Sequence, residues 1–428
     1  MCLFFAYGSL PGWAQVMNAA GAANAPLTMN VTAADPFDIE TGIYYRSYTD
    51  LYMPGSIPIL LVRTQRNMDL RSRSFGIGAS TSYDMFIVGD TAKFSWVALV
   101  MANGSKEMYA RVSPGTGYAD GVFENKASPG EFYGSRIFWN GNGGWTVQMC
   151  NGRQYTIQGC GAASNPGQCA MTEERNDKGA RLTIQRDKAG NILRITTPEG
   201  RYIAFDVDSA GRIKRIQDDS GNRWVNYHYY ANGALKDTWS RRGEKQEFGY
   251  DDHFNMTSIH ETGPANVPLN PDPAIPESAR PFLDPAAFAK RYDFTVLNGF
   301  DSSNRLKSQD TSFGQHWSVQ YGAPAGDNSK INTVDGPDGR VRYFFNPSGY
   351  AFREEYSGKL SGWDLEIVRQ AGNNAITGMT LVCMPGNMRV DVPTSVNTRN
   401  GEGRRETLSG MCDRAAKGKA PPVSGRLK

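Results

Sequence analysis

The chain has 428 residues, with 47 glycines, 20 tyrosines, 20 phenylalanines and a formal net charge of +3. So small a charge gives no case for nucleic-acid binding. No stretch supplies the roughly 18 or more apolar residues of a membrane-spanning helix, and no apolar stripe of helical period runs long enough for a bundle. The length leaves room for two or three domains or one extended array. With a mean hydropathy of −0.49, this glycine- and aromatic-rich composition predicts an all-β chain.

Residues 1–14 read as a truncated signal peptide. Leu3–Ala6 are apolar, and Gly12 and Ala14 place small residues ahead of a cut before Gln15. The other reading of this stretch is a buried first strand. Residues 15–33 form a small, polar leader. A β module is predicted over 34–158. It opens with Asp35-Pro36 and a Thr41-Gly42 turn. A Pro54-Gly55 turn then leads into an apolar strand, Ile57–Arg63, and a Phe75-Gly76-Ile77-Gly78 segment follows. Trp145–Met149 and Gln154–Ile157 make a hairpin, and Asn151-Gly152 between them predicts a type I′ turn.

Hairpins then recur with a fixed period over 159–368. RDKAGNI (186–192), VDSAGRI (207–213), YYANGAL (229–235) and YDDHFNM (250–256) are copies of one unit. Their turn slots are Gly190, Gly211, Gly233 and Phe254. A second series, Gly179, Gly200, Gly221 and Gly243, lies between them. Asp at the head of such a turn caps backbone amides, and Gly takes a left-handed position that a Cβ resists. Phe254 is therefore expected in a differently shaped turn. Ile192 and Ile195, Ile213 and Ile216, and Met256 and Ile259 are three apart, which a strand period of two cannot place on one face. This predicts either a β-bulge or a twisted strand buried on both sides. The Pro-rich stretch 262–288 cannot join a sheet ladder and is expected to loop out, either as a plain loop or as a partner-binding segment, with one helical turn near 285–290. The pattern resumes at FDSSNRL (300–306) and continues through the turns at Gly339 and Gly349. Terminal strands occupy 369–395, and 396–428 is polar and basic, read as a disordered tail.

The search for catalytic chemistry yields no site, and neither a metal nor a cofactor is expected. GxSxG, HExxH and GxxxxGK[ST] are absent. His228, His253, His260 and His316 are not spaced as metal pairs. The Asp-rich turns lack the ligand spacing of a calcium loop and read as turn caps. Cys160 with Cys169, and Cys383 with Cys412, are the expected disulfides of an exported protein. Cys150 is left over and is expected to be a buried thiol. On the strand at 224–230, alternation places Val225, Tyr227 and Tyr229 on one face and Trp224, His228 and Tyr230 on the other. The second set is either buried between coils of sheet or an aromatic stripe that could stack on sugar or protein.

The copies at 186–256 resemble the tyrosine–aspartate (YD) repeat of the RHS family, the rearrangement-hotspot and wall-associated proteins. Segments 35–67 and 74–84 resemble the module that precedes RHS repeats. The resemblance implies a coiled sheet or partial shell. In full-length relatives that shell encloses a C-terminal toxin behind a core segment with an Asp-Pro-x-Gly signature. Here the copies number about half a dozen, and neither core segment nor toxin region is recognisable. The expectation is an exported, non-enzymatic surface module for binding or structure, with a carbohydrate or protein partner. The alternative is a truncated or orphan carrier component of an RHS-type toxin system. The location implied is secreted, periplasmic or cell-envelope.

Overall fold

The computed structural model describes residues 32–33, 37–126, 130–160, 163, 166–263, 293–359, 361–384, 386–392 and 411–412. The expected signal peptide, nearly all of the leader and nearly all of the Pro-rich insertion lie outside these residues. So does the tail, apart from Met411 and Cys412. The described chain is almost entirely β-strand, in antiparallel pairs between sequence neighbours. It forms two compact units. One comprises residues 1–26, 47–65 and 69–235; the other comprises 27–46, 66–68 and 236–428.

In the first unit the strands from Phe86–Gly89 to Trp224–Tyr229 each pair with the next. The chain thus enters the repeat-bearing sheet at Phe86, well before the expected boundary at 158/159. What stands apart from that sheet is the shorter stretch up to Asp84. There, Ile59–Arg66 pairs with Ala79–Thr81, and Ser72–Arg73 forms a ribbon with Gly76–Ile77. In the second unit the same meander runs from Lys245–Tyr250 to Met388–Val392.

One local device builds the repeats. In four of the turns, one carboxylate oxygen accepts the amides two and four residues on: Ala189 and Asn191 at Asp187, Ala210 and Arg212 at Asp208, His253 and Asn255 at Asp251, Ser303 and Arg305 at Asp301, with N···O distances of 2.8–3.0 Å. The other oxygen takes the side chain at the fourth residue, for example Arg212 Nε at 2.8 Å and Arg305 Nε at 2.8 Å. Gly190, Gly200, Gly211, Gly221, Gly233, Gly243, Gly339 and Gly349 all have positive φ, from 70° to 133°.

Phe254 departs from expectation. Its φ is 60°, and its amide bonds Asp251 O at 3.1 Å, as Gly190 bonds Asp187 O at 3.0 Å. The turn is not reshaped. The left-handed backbone costs a bulky residue about 1–2 kcal/mol, whereas Asp251 gathers three hydrogen bonds at about 1 kcal/mol each. The Asn151-Gly152 turn departs too. Gly152 alone is left-handed, and Gly152 N bonds Met149 O. This is a three-residue loop like those of the repeats, because a type I′ turn needs both residues at positive φ.

Where the residue just before the turn is Tyr or Arg, it can tie its hairpin to the preceding one. Tyr229 OH donates to Ile213 O at 2.5 Å and Tyr321 OH to Leu306 O at 2.6 Å. Arg212 and Arg305 lie over those rings at 4.5 and 4.3 Å. Arg186 and Arg369 occupy the same slot and donate to Met171 O and Ala351 O. After the turns the register shifts, between Asp206 and Val207 for instance. That bulge lets Ile192 and Ile195, and Ile213 and Ile216, all be buried.

Candidate functional site

In the first unit, the N-terminal hairpin formed by the neighbouring strands Tyr45–Met53 and Ile59–Arg66 contacts the repeats through residues 50–63. Val225 and Tyr227 face inward and are buried. Tyr227 OH donates to Asp50 Oδ2 at 2.8 Å. Arg63, fully buried, donates to both oxygens of Asp50 at 2.9 and 3.2 Å. Its guanidinium also lies 4.7 Å from the Tyr48 ring centre and 5.8 Å from that of Tyr227, while Phe75 packs on Tyr227 at 5.0 Å. Burial alone would lower the Arg63 pKa, but Asp50 and the tyrosine oxygens outweigh it and keep the cation charged. Burial pushes Tyr227 well above the ordinary phenol range, so the hydroxyl keeps the proton it donates to Asp50.

The same hairpin and its continuation reach both rows of turns. On one side, Ser56 N bonds Glu199 Oε1 at 2.9 Å and Arg223 bonds Tyr52 O at 2.7 Å. The bonds from Ser56 hold the Glu199 carboxyl down at about 2. On the other side, Arg186 pairs with Asp84 at 2.9 Å and donates to Tyr83 O at 2.5 Å. Ile213 N bonds Ser74 O at 2.8 Å, and Ile77 N bonds Gly233 O at 3.2 Å. A cleft of about 270 Å³ lies there, lined in part by Asp69, Arg73, Ser74, Asp84, Asn191 and Gly211. Its charges are satisfied from within: Arg73 binds Asp69, and Asp84 takes Ser74 and Arg186.

In the second unit the N-terminal residues bind the turns in the same manner. Asn67 Nδ2 bonds Asn304 O at 2.6 Å and Asn255 Oδ1 at 3.1 Å, and Asn255 Nδ2 reaches Asn304 Oδ1 at 2.8 Å. Leu306 N bonds Gly42 O, Asn332 Nδ2 bonds Ile39 O, and Lys330 Nζ bonds Glu40 O.

Of the residues singled out by sequence, Trp224 is half-buried, His228 is exposed and Tyr230 is 39% exposed. The stripe therefore faces outward. However, Arg215 lies over Trp224 at 4.7 Å and covers one ring face. Cys160–Cys169 and Cys383–Cys412 are disulfide-bonded, with Cα atoms 4.6 and 5.5 Å apart. Cys150 is free and exposed, contrary to the expected buried thiol, because it belongs to the turn after Met149 rather than to the strand. His260 and His316 sit in carboxylate pairs with Asp293 and Asp310, at 2.8 and 2.7 Å. Among the described residues, no group of three or more His, Cys, Asp or Glu side chains could hold a metal. Sequence reasoning missed Asp50. Its signal was charge on a strand flanked by buried Leu51 and Met53, opposite an arginine that shares the parity of Ile59 and Leu61.

A family model described as a domain of unknown function, DUF6531, matches residues 34–109. Those residues contain both segments read as the module ahead of RHS repeats. No curated protein matches. Crystal structures of TcdB2-TccC3-TEV and TcdB2-TccC3 are similar at 11% and 10% identity, over 72% and 84% of this chain, with TM-scores of 0.35 and 0.36. This chain spans 17% and 23% of theirs. A porin-like protein from Bacteroides uniformis is similar at 9% identity, over 58% of this chain and 91% of its own, with a TM-score of 0.22. Likeness at this level carries no functional conclusion.

Proposed function

We propose that this chain is an exported, non-enzymatic β-repeat protein of the RHS/YD kind whose task is structural: it forms wall for a carrier. The observation that supports this reading is the N-terminal brace. The hairpin and its continuation to Asp84 are together bonded to both turn rows, and the hairpin is anchored by Asp50, Arg63 and Tyr227. Polar contacts on this scale fix the spacing of successive hairpins, as a wall requires, and the cleft beside Asp69 and Asp84 has its charges neutralised from within. The test is co-expression with the polypeptide encoded directly downstream. A carrier should yield a stable complex in which that polypeptide resists protease until the chain is unfolded. Failure to associate would overturn the carrier reading.

A surface-binding role is the second reading, favoured by the outward exposure of His228 and Tyr230. Calorimetric titration with defined cell-wall glycan fragments tests it. Binding that survives Trp224→Ala and Tyr230→Ala together would exclude the stripe as the site.

A further inference from the structure

Six Asn-Gly steps lie among the described residues, beginning at Asn103, Asn140, Asn142, Asn151, Asn232 and Asn298. Such a step can rearrange without a catalyst. Glycine has no Cβ to hinder its amide nitrogen, which can close a five-membered ring on the carboxamide carbon of the preceding asparagine. In five of the six the fold holds the carboxamide. Asn103 Oδ1 accepts Ser105 N at 3.0 Å and Ser105 Oγ at 2.7 Å. Asn140 Oδ1 accepts Asn142 N at 2.8 Å and Gly144 N at 3.2 Å. Asn151 Oδ1 accepts Arg153 N, and Asn232 Oδ1 accepts Ala234 N, each at 3.1 Å. Asn298 is buried in a strand, with Nδ2 on Met256 O and Oδ1 on Gln309 Nε2, both at 2.9 Å. In three of these steps the glycine amide is committed as well: Gly104 N to Met101 O, Gly152 N to Met149 O and Gly233 N to Tyr230 O.

Asn142 is the exception. It is exposed, in the loop between strands Arg136–Trp139 and Gly144–Gln148. Its carboxamide makes no hydrogen bond, and neither does Gly143 N. Gly143 is left-handed, with φ of 85°, and is held instead by its carbonyl, which accepts Gly159 N at 2.9 Å and Gln158 Nε2 at 3.2 Å. The attacking nitrogen and the carbon it attacks are thus both free on an otherwise anchored loop. We propose that Asn142 is a site of spontaneous covalent modification, with water as the only co-reactant. Gly143 N gives up its proton and bonds to Asn142 Cγ. The Cγ–Nδ2 bond breaks, and ammonia leaves with that proton. Water then opens the cyclic imide at either carbonyl, giving aspartate or isoaspartate, with no electrons exchanged. The product lowers the formal net charge of +3 by one. Isoaspartate also adds a carbon to the backbone next to the cross-strand pair Trp139 and Trp145, whose rings lie 5.3 Å apart. Each hydrogen bond that must break first slows the rearrangement about 5-fold, and each of the other five steps has at least two.

Peptide mass spectrometry tests this on the full chain held in mildly alkaline buffer, once native and once unfolded in urea. In the native chain, the imide and its two hydrolysis products should build up at Asn142 at least about 20-fold faster than at Asn103, Asn140, Asn151, Asn232 or Asn298. The rate should rise with pH, because the attacking nitrogen must lose its proton. In urea the six rates should converge. A native Asn142 no faster than the other five would overturn the proposal. So would a lead that persists unchanged in urea, because neighbouring sequence rather than the fold would then set it. In Asn142→Ser the conversion should vanish from the peptide covering residues 140–153. Its persistence there would place the reaction at Asn140 or Asn151 and overturn the assignment.

Discussion

Gly211 shows how much one turn position carries. Its φ is +79°, and a Cβ there would lie 2.6 Å from Asn191 Oδ1, in the adjacent turn. Gly211→Val should cost at least about 1–2 kcal/mol by chemical denaturation. Gly211→Asn should cost less, since Asn304 holds φ of 61° in an equivalent turn. The strain should also spread: hydrogen exchange should rise across the 187–191 turn as well as the 208–212 turn, and a rise confined to 205–216 would mean the hairpins are independent. The turn carboxylates make a second prediction. Burial alone would raise Asp208 and Asp301, but the hydrogen bonds and charges of Arg212 and Arg305 outweigh it and hold both below the ordinary value. A depressed carboxyl contributes stability that is present above its unfolded pKa and is lost as pH falls through the folded one. Thermal stability should therefore drop below about pH 4, and Asp208→Asn with Asp301→Asn should flatten that drop. An unaltered acid limb in the double variant would refute this role.

At the scale of elements, the hairpin carrying Asp50 and Arg63 is the sensitive one. Removing one partner of a buried pair leaves an uncompensated charge and typically costs about 3–5 kcal/mol. Asp50→Asn should show that loss in urea unfolding. Asp50→Leu combined with Arg63→Met should recover most of it, because both charges are then gone. A double variant as unstable as the single would shift the burden to Tyr227. The turn after Met149 offers a simpler check. Iodoacetamide on the native protein should label Cys150 and leave the peptides containing Cys160, Cys169, Cys383 and Cys412 unlabelled until reduction.

For the whole molecule, the brace implies that the repeats do not stand alone. Without residues 37–84, Tyr227 would lose Asp50 and Phe75, and the turns would lose their bonds to Ser56, Ser74 and Ile77. A chain deleted for that segment should aggregate or lose its β circular-dichroism signal. A soluble, cooperatively unfolding product would show that the brace is dispensable and would weaken the wall reading.

The sequence by itself determined whatever is settled within a few residues of chain. The period of about 21, the Asp-capped turns, the left-handed glycines and the three-residue apolar spacing all follow from hydrogen bonds that close over four or five positions, and the strands pair with their nearest neighbours for the same reason. It also gave both cysteine pairs, because the chain has few cysteines to combine. It misjudged Phe254 and Cys150, where local propensity was overridden by bonds already committed to Asp251 and by the placement of a turn. Only the tertiary structure brought Asp50 to Tyr227, 177 residues away in sequence, turned the stripe of Trp224 outward and laid Arg215 over it, and joined Asn67 to Asn255 and Asn304. No period encodes such meetings. They depend on which face of the sheet the N-terminal hairpin covers, and that choice is made by burial of the whole face rather than by any single residue's preference.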